Sequence, residues 1–338
     1  MSRFKQTLNK INRIRLLMGL DAFVMLLIGV TALAYYLPQL GIYNGTINLH
    51  HVADIGVGLI FFFYGLKLSP RQLLNDLRNW KLHLLIQSAT FILFPLTILL
   101  LMQLLGHWGN QLLWIGTFYL AALPSTVSSS VVMVSIARGN IGAAIFNASI
   151  SSLMGVFITP IWMSFILKTG GTAADYQLGP VFLKLSLQVI LPVAAGLMLN
   201  HRYGRYAHRH PNTLKWFDQI VILLIVYLSF CESFANKMFA GHTITSLLLL
   251  SAAMIALFFI IYELINLLSR SLRFNTEDRI TALFSGSKKS LVHGTVMSKV
   301  LFPGITGVGV ILLPLMLYHT FQLIIVSMIA TPYSKRTN

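Results

Sequence analysis

The sequence predicts an all-α integral membrane protein of ten transmembrane helices, arranged as two inverted sets of five. Three observations carry that prediction. The chain is 56% hydrophobic and only 10% charged over 338 residues, with a mean hydropathy of +0.75, whereas a soluble domain carries about 25% charge. Its apolar runs approach the ~20 residues that cross a bilayer. Its basic residues fall in the short stretches between those runs, on alternate connections.

The apolar segments lie at about 18–37, 52–67, 81–105, 112–136, 141–167, 178–200, 216–238, 243–268, 280–299 and 303–330. With a cytoplasmic N-terminus, that side collects Arg3, Lys5, Lys10, Arg13 and Arg15, then Lys67, Arg71, Arg78 and Lys81, then Arg138. It also takes Arg202, Arg205, Arg209 and Lys215, then Arg270, Arg273 and Arg279, and finally Lys335 and Arg336. The opposite side receives Lys168, Lys237 and Lys299, with Lys184 in the outer part of the sixth segment. The bias predicts both termini in the cytoplasm. The basic N-terminus leads into a segment long enough to stay in the bilayer, so no cleaved signal peptide is expected. The net charge of +16 is spread over these connections, which excludes a nucleic-acid surface as its reason. The lone Cys231 excludes a disulfide framework and a multi-cysteine metal site. Asn44-Gly45-Thr46 is a formal glycosylation sequon in an outer connection.

An odd number of helices per half inverts the second half relative to the first, a plan found in many secondary transporters. The expected unit is one domain, 1–338, with repeats at about 16–167 and 178–330. Each fourth helix of a half carries a polar interruption. The first is Pro124-Ser125-Thr126-Val127-Ser128-Ser129-Ser130, and the second is Ser285-Gly286-Ser287-Lys288-Lys289-Ser290. Each is followed by a tight connection, Ala137-Arg138-Gly139-Asn140 or Leu301-Phe302-Pro303-Gly304. Paired interruptions of this kind point to a binding site.

Proline removes a backbone donor, and the serine and threonine hydroxyls can satisfy the carbonyls it frees. Any one of these serines also fits ordinary small-residue helix packing. The cluster, with Asn147, Ser149, Ser151 and Ser152 nearby in the fifth segment, fits a ligand-facing cavity. Two lysines at mid-membrane depth cost roughly 2.5–3.5 kcal/mol each, so they require water, a ligand or a polar partner. On an unbroken helix Ser285, Lys289 and His293 share one face and Lys288 points about 100° away. Lys288 could snorkel to the interface. His293 reads either as a hydrogen-bonded packing residue or as a ligand.

Among the acids, Asp21, Asp54 and Asp218 sit near helix ends, and Glu277 and Asp278 are N-terminal acids of the ninth segment. Glu232 and Glu263 fall inside segments; Glu232, near Asn236, is placed to line a substrate path or pair a lysine. No HExxH, GxSxG, P-loop or cysteine pair is present, so no enzyme and no cofactor are expected.

Thr90-Phe91-Ile92-Leu93-Phe94-Pro95, the run Pro124 to Asn140 and the ninth-segment interruption resemble the bile acid–sodium symporter family over nearly the whole chain. Phe284 to Leu291 and Ile60 to Ser69 are similar to a bacterial symporter branch akin to the vertebrate seventh-member type. The resemblance implies a panel domain (helices 1, 2, 6, 7), a core domain (3–5, 8–10), crossing unwound helices 4 and 9, two sodium ions behind the crossing, and organic anions such as bile acids, steroid sulfates or small carboxylates as substrates. It also places the sodium-ligand positions. A third-helix glutamine falls on Thr90, a serine–asparagine pair near Ser129 and Ser130, and fifth-helix hydroxyls near Ala144 and Ala148, beside Asn147 and Ser149. The ninth-helix glutamate and glutamine fall on Ser287, Lys288 and Lys289, where this chain has no acid.

The residues expected at the substrate or ion site are therefore Thr90, Thr126, Ser128, Ser129, Ser130, Asn147, Ser149, Ser287, Lys288, Lys289, Ser290, His293 and Glu232. A fixed ammonium repels a nearby sodium ion, which argues against two intact sodium sites. Lys289 is expected to supply the positive charge itself, leaving transport of a small organic anion sodium-independent or proton-coupled. The alternative class is a membrane regulator, for example of calcium handling, that keeps the fold without transport. The expected setting is a bacterial inner membrane, with the lipid bilayer as partner and no nucleic acid.

Overall fold

Among the described residues every regular element is helical. The computed structural model describes residues 22–42, 48–67, 79–106, 110–126, 128–169, 180, 183–184, 186–237, 243–303 and 305–334. Arg3, Lys5, Lys10, Arg13, Arg15, Asp21, the Asn44-Gly45-Thr46 sequon, Arg71, Arg78, Val127, Gly304, Lys335 and Arg336 lie outside them.

The first elements among the described residues are α1 (Ala22–Tyr36), the single turn α2 (Pro38–Ile42) and α3 (Leu49–Lys67). Helix α4 (Trp80–Ser88) runs through a π turn (Ala89–Leu93) into α5 (Phe94–Leu105). Next come α6 (Gln111–Ala122), α7 (Ser128–Ile136) and α8 (Ile141–Thr169), then a second π turn (Ser186–Ile190) leading into α9 (Leu191–Arg209). The chain continues with α10 (Pro211–Ala235), α11 (Ile244–Ser271), α12 (Thr276–Gly286), α13 (Leu291–Leu301) and α14 (Val308–Ser334). Among the described residues six helical stretches are long and apolar enough to cross a membrane: Leu49–Lys67, Trp80–Leu105, Ile141–Leu167, Pro211–Ala235, Ile244–Ser271 and Val308–Tyr333. Their outward faces are apolar, as at Leu248, Leu249 and Leu100. That is the pattern of a surface facing lipid instead of water.

Two packing groups emerge. In one, α3 lies against α9 and α10, and α10 also carries α1 and α2. In the other, α6 packs on α14, α5 and α8, while α12 packs on α11, α4 and α7. The α3–α9 contact depends on two glycines. A Cβ on Gly65 would strike the Val193 carbonyl, and one on Gly196 would strike the Phe62 carbonyl. Absent side chains let the two backbones touch, the usual device for helix association without a hydrophobic drive.

Two segment boundaries differ from the sequence reading. The interruption expected in 112–136 is present and begins after Ala122, because Pro124 offers no N–H to the turn before it. The stretch 280–299 starts a turn earlier, at Thr276, and is also interrupted, at 287–290. The sixth segment runs on to Arg209, so Arg202, Arg205 and Arg209 lie on an exposed helical extension and not in a loop. This extension is anchored by Ala207, which packs with Leu66, and by Asn200 Nδ2, which donates to the Leu66 carbonyl at 2.7 Å.

The start of α12 is fixed by a buried carboxylate. Asp278 Oδ2 accepts from Asn79 Nδ2 and Oδ1 from Asn140 Nδ2, both at 2.8 Å. Asn140 N also donates to Thr281 Oγ1 at 2.9 Å, and Asn275 Oδ1 caps α12 by accepting from Asp278 N at 2.8 Å. One aspartate thus ties the beginnings of α4, α8 and α12 together. Asp278→Ala leaves two amides without their acceptor and should cost about 1–3 kcal/mol. Thermal unfolding of the purified protein, followed by tryptophan fluorescence, would show this as a lower melting temperature.

Candidate functional site

The two interruptions meet each other. The hydroxyl of Ser125 donates to the Ser285 carbonyl at 2.5 Å, and Ser290 N donates to the Pro124 carbonyl at 3.0 Å. Ser125 N is in turn held by Ser151 Oγ at 3.0 Å. Tyr119 OH donates to the Gly294 carbonyl at 2.6 Å, and a Cβ on Gly294 would collide with Leu123 and Leu315. Gly294 is glycine because Leu123, just beyond α6, and Leu315 of α14 both press against α13 there.

Lys289 sits at the centre of this meeting. Its side chain is fully buried, and Nζ donates to the carbonyls of Thr90 at 2.7 Å, Ala121 at 2.6 Å and Leu123 at 2.8 Å. The Phe94 ring covers the same ammonium, 4.2 Å from its centroid, an attractive placement for a cation. Each carbonyl is available for a backbone reason. In the π turn Phe94 N bonds the Ala89 carbonyl, five residues back. The same pattern would bring residue 95 to the Thr90 carbonyl, but Pro95 has no N–H, so that oxygen is left for Lys289. Phe91 O is taken by Trp162 Nε1 at 2.9 Å. Ala121 is in the last turn of α6, whose carbonyls lack helical partners, and the ammonium caps the negative end of that helix dipole.

The backbone of Lys289 is held equally firmly. Gln322 Oε1 accepts from Lys289 N, and Gln322 Nε2 donates to Lys289 O, both at 2.8 Å. Tyr318 OH donates to the neighbouring Ser287 carbonyl at 2.7 Å. Sequence reasoning missed Gln322 and Tyr318. The available signal was a glutamine and a histidine, His319, one turn apart inside an apolar helix.

Lys288 is different. It too is fully buried, and among the described residues its Nζ has no hydrogen-bond partner. It does not snorkel to the interface. His293 Nδ1 pairs with Ser290 Oγ at 2.9 Å, while His293 Nε2 is buried without a partner among the described residues. The imidazole lies edge-on to Phe61 at 5.8 Å and Tyr64 at 6.4 Å between ring centroids. Because 287–290 is not helical, Ser285, Lys289 and His293 do not share a helix face, which corrects the expected spacing.

The remaining expected residues divide by partner. Thr126, Ser129 and Ser130 hydrogen-bond one another at the start of α7, at 2.8–2.9 Å; the side chain of Ser128 is outside the described set. Ser287 Oγ closes on the Leu283 carbonyl at 2.6 Å, and Thr90 Oγ1 on the Ile86 carbonyl at 2.8 Å, so each hydroxyl serves its own helix. Asn147 is bonded to Gln87, to His83 and to the Ala143 carbonyl, in a network between α4 and α8. Ser149 contributes its carbonyl to Tyr64 OH at 3.1 Å. Glu232 is half-buried on α10, and among the described residues it forms no ion pair with a lysine. No group of three or more His, Cys, Asp or Glu side chains suited to a metal occurs among the described residues.

The two lysines should respond oppositely to loss of charge. Lys289→Met leaves three buried carbonyls unpaired and should cost at least about 3 kcal/mol. Lys288→Met removes an unpartnered buried amino group and should leave the melting temperature equal or higher. Parallel thermal unfolding of the two variants in one detergent checks the pair.

Comparison with known proteins identifies a family. The SBF-like CPA transporter family matches residues 21–335. The Pseudomonas aeruginosa protein PA2026 is 38% identical over 316 residues, covering 94% of this chain and 93% of that protein. YfeH of Escherichia coli is 33% identical over 323 residues, 94% of each chain. Sodium/bile acid cotransporter 7 of Rattus norvegicus is 30% identical over 295 residues, 86% of each. The chain belongs to the SBF-like CPA transporter family.

Proposed function

We propose that this protein is a secondary transporter that moves a small organic anion across a bacterial inner membrane by alternating access, without sodium coupling. The observation that carries the proposal is the pair of buried lysines where two interrupted helices meet, one saturated by carbonyls and the other unpartnered. Lys289 acts as a built-in cation that holds the crossing together. A sodium ion 4 Å from its ammonium would meet a repulsion of about 4 kcal/mol at an effective dielectric of 20. Lys288, with the positive N-terminal ends of α7 and α13, favours a negatively charged ligand.

The same reading makes the chain one domain, 1–338, of ten membrane-crossing helices, with α6–α7 and α12–α13 as interrupted crossings of two inverted repeats, about 16–167 and 178–330. The packing group around α3, α9 and α10 is the panel, and the other group is the core. The basic residues of the connections support cytoplasmic termini. The rat relative's name, sodium/bile acid cotransporter 7, supports an amphipathic organic anion as the substrate class.

Purified protein should be stabilised by its anion to the same extent in sodium and in choline buffer, because a ligand that binds the folded state raises its melting temperature. A thermal-shift panel of bile acids, steroid sulfates and small carboxylates in both buffers checks this. Proteoliposome uptake of any hit should be indifferent to a sodium gradient and lost in Lys288→Met. Uptake that requires a sodium gradient overturns the sodium-free reading, and silence across the whole panel favours a non-transporting regulator.

A further inference from the structure

The seam between α3 and the core group is locked at one end by a charge pair. Lys299 Nζ, in the last turn of α13, donates to Asp54 Oδ1 at 2.5 Å and to the His50 carbonyl at 3.2 Å. His50 and Asp54 are four residues apart on α3, so one ammonium grips a single helical face across a turn. The other ion pair among the described residues, Lys67 with Asp218 at 3.9 Å, joins α3 to α10 within the same packing group. Asp54–Lys299 alone of the two crosses between groups.

Further along, the seam is made of weaker contacts. Phe61 and Tyr64 of α3 border His293 of α13, and Tyr64 OH reaches the Ser149 carbonyl of α8. From Asp54 to Phe61 the chain rises about 10 Å, and from Lys299 back to His293 about 9 Å, at ~1.5 Å per residue. The two helices therefore run antiparallel and in step along the seam, with the ion pair at one end and His293, next to the crossing, at the other. The pair lies at the end of α13 remote from the Asp278 cluster. Asp54 keeps 42% and Lys299 16% of its side-chain surface exposed. A pair this solvated can reopen, unlike the buried carbonyl cage around Lys289.

We propose that Asp54–Lys299 is a releasable latch that shuts the α3–α13 seam, and with it the path to His293 and the crossing, from the outer side. This inference rests on the alternating-access reading for its meaning, although its test does not need transport. With the latch closed, solvent stops at Asp54; with it broken, the α3 face from Val57 to Phe61 becomes reachable.

The test uses the full-length protein with Cys231→Ser and a reporter Val57→Cys, reconstituted in proteoliposomes and labelled by a membrane-impermeant maleimide. Val57 is 2% exposed, so labelling should be slow. Asp54→Asn should speed it by at least about tenfold, and the charge-swapped double variant Asp54→Lys with Lys299→Asp should return it toward the slow rate. Phe61→Cys serves as a second reporter should Val57→Cys fail to fold, with melting temperatures confirming that each variant is folded. Equal labelling with and without Asp54→Asn, or a double variant as fast as the single one, overturns the latch. Failure of the transporter reading would appear separately, as no anion response with the latch result intact.

Discussion

An ammonium enclosed by three backbone carbonyls is the constraint on which the rest of the crossing depends. Lys289 Nζ draws its oxygens from the π turn after α4, from the last turn of α6 and from the residue beyond it. All three oxygens belong to the first half of the chain and the lysine to the second. The interaction therefore ties together two interruptions that neither half could stabilise alone. Unwound backbone at membrane depth survives only where protein satisfies it, and here a side chain substitutes for water.

The other contacts at the crossing serve this placement. Gln322 holds the Lys289 peptide on both its donor and its acceptor. Tyr318 and Ser125 take the carbonyls of Ser287 and Ser285, and Pro124 receives Ser290 N. Backbone groups released by two helix breaks are thus mostly paired with each other or with α14. Lys288 lies outside this economy: it is buried and unpartnered among the described residues. The contrast between adjacent lysines, one structural and one available, is the basis of the anion reading. The peripheral contacts are of a different kind, since the Asp278 carboxylate is buried whereas Asp54 keeps 42% of its side-chain surface exposed.

The membrane class, the helical segments and the existence of two polar interruptions were legible from hydropathy, from Pro124 and from the cost of placing Lys288 and Lys289 among apolar residues. Those signals are carried by residue type. What escaped depends on backbone hydrogen-bond register. Thr90 was expected for its side chain, yet its hydroxyl bonds its own helix and its carbonyl reaches the lysine, because the π turn and Pro95 free that oxygen. Gln322 brackets Lys289 with its amide, and no sequence pattern marks a glutamine of one helix as the partner of a backbone peptide in another. The distinction between the two lysines was also hidden, since helical spacing cannot describe side chains that leave an unwound backbone. Glu232, attractive as a membrane acid, forms no ion pair among the described residues.

The most direct test of the account is chemical rescue of the carbonyl cage. In Lys289→Ala the cage lacks its ammonium, and a small cation of similar shape should be able to replace it. The account predicts that methylammonium raises the melting temperature of Lys289→Ala, that tetramethylammonium, which has no N–H to donate, does not, and that the wild-type protein is unmoved by methylammonium or by sodium. A variant indifferent to methylammonium, or a wild-type protein stabilised by sodium, would contradict it.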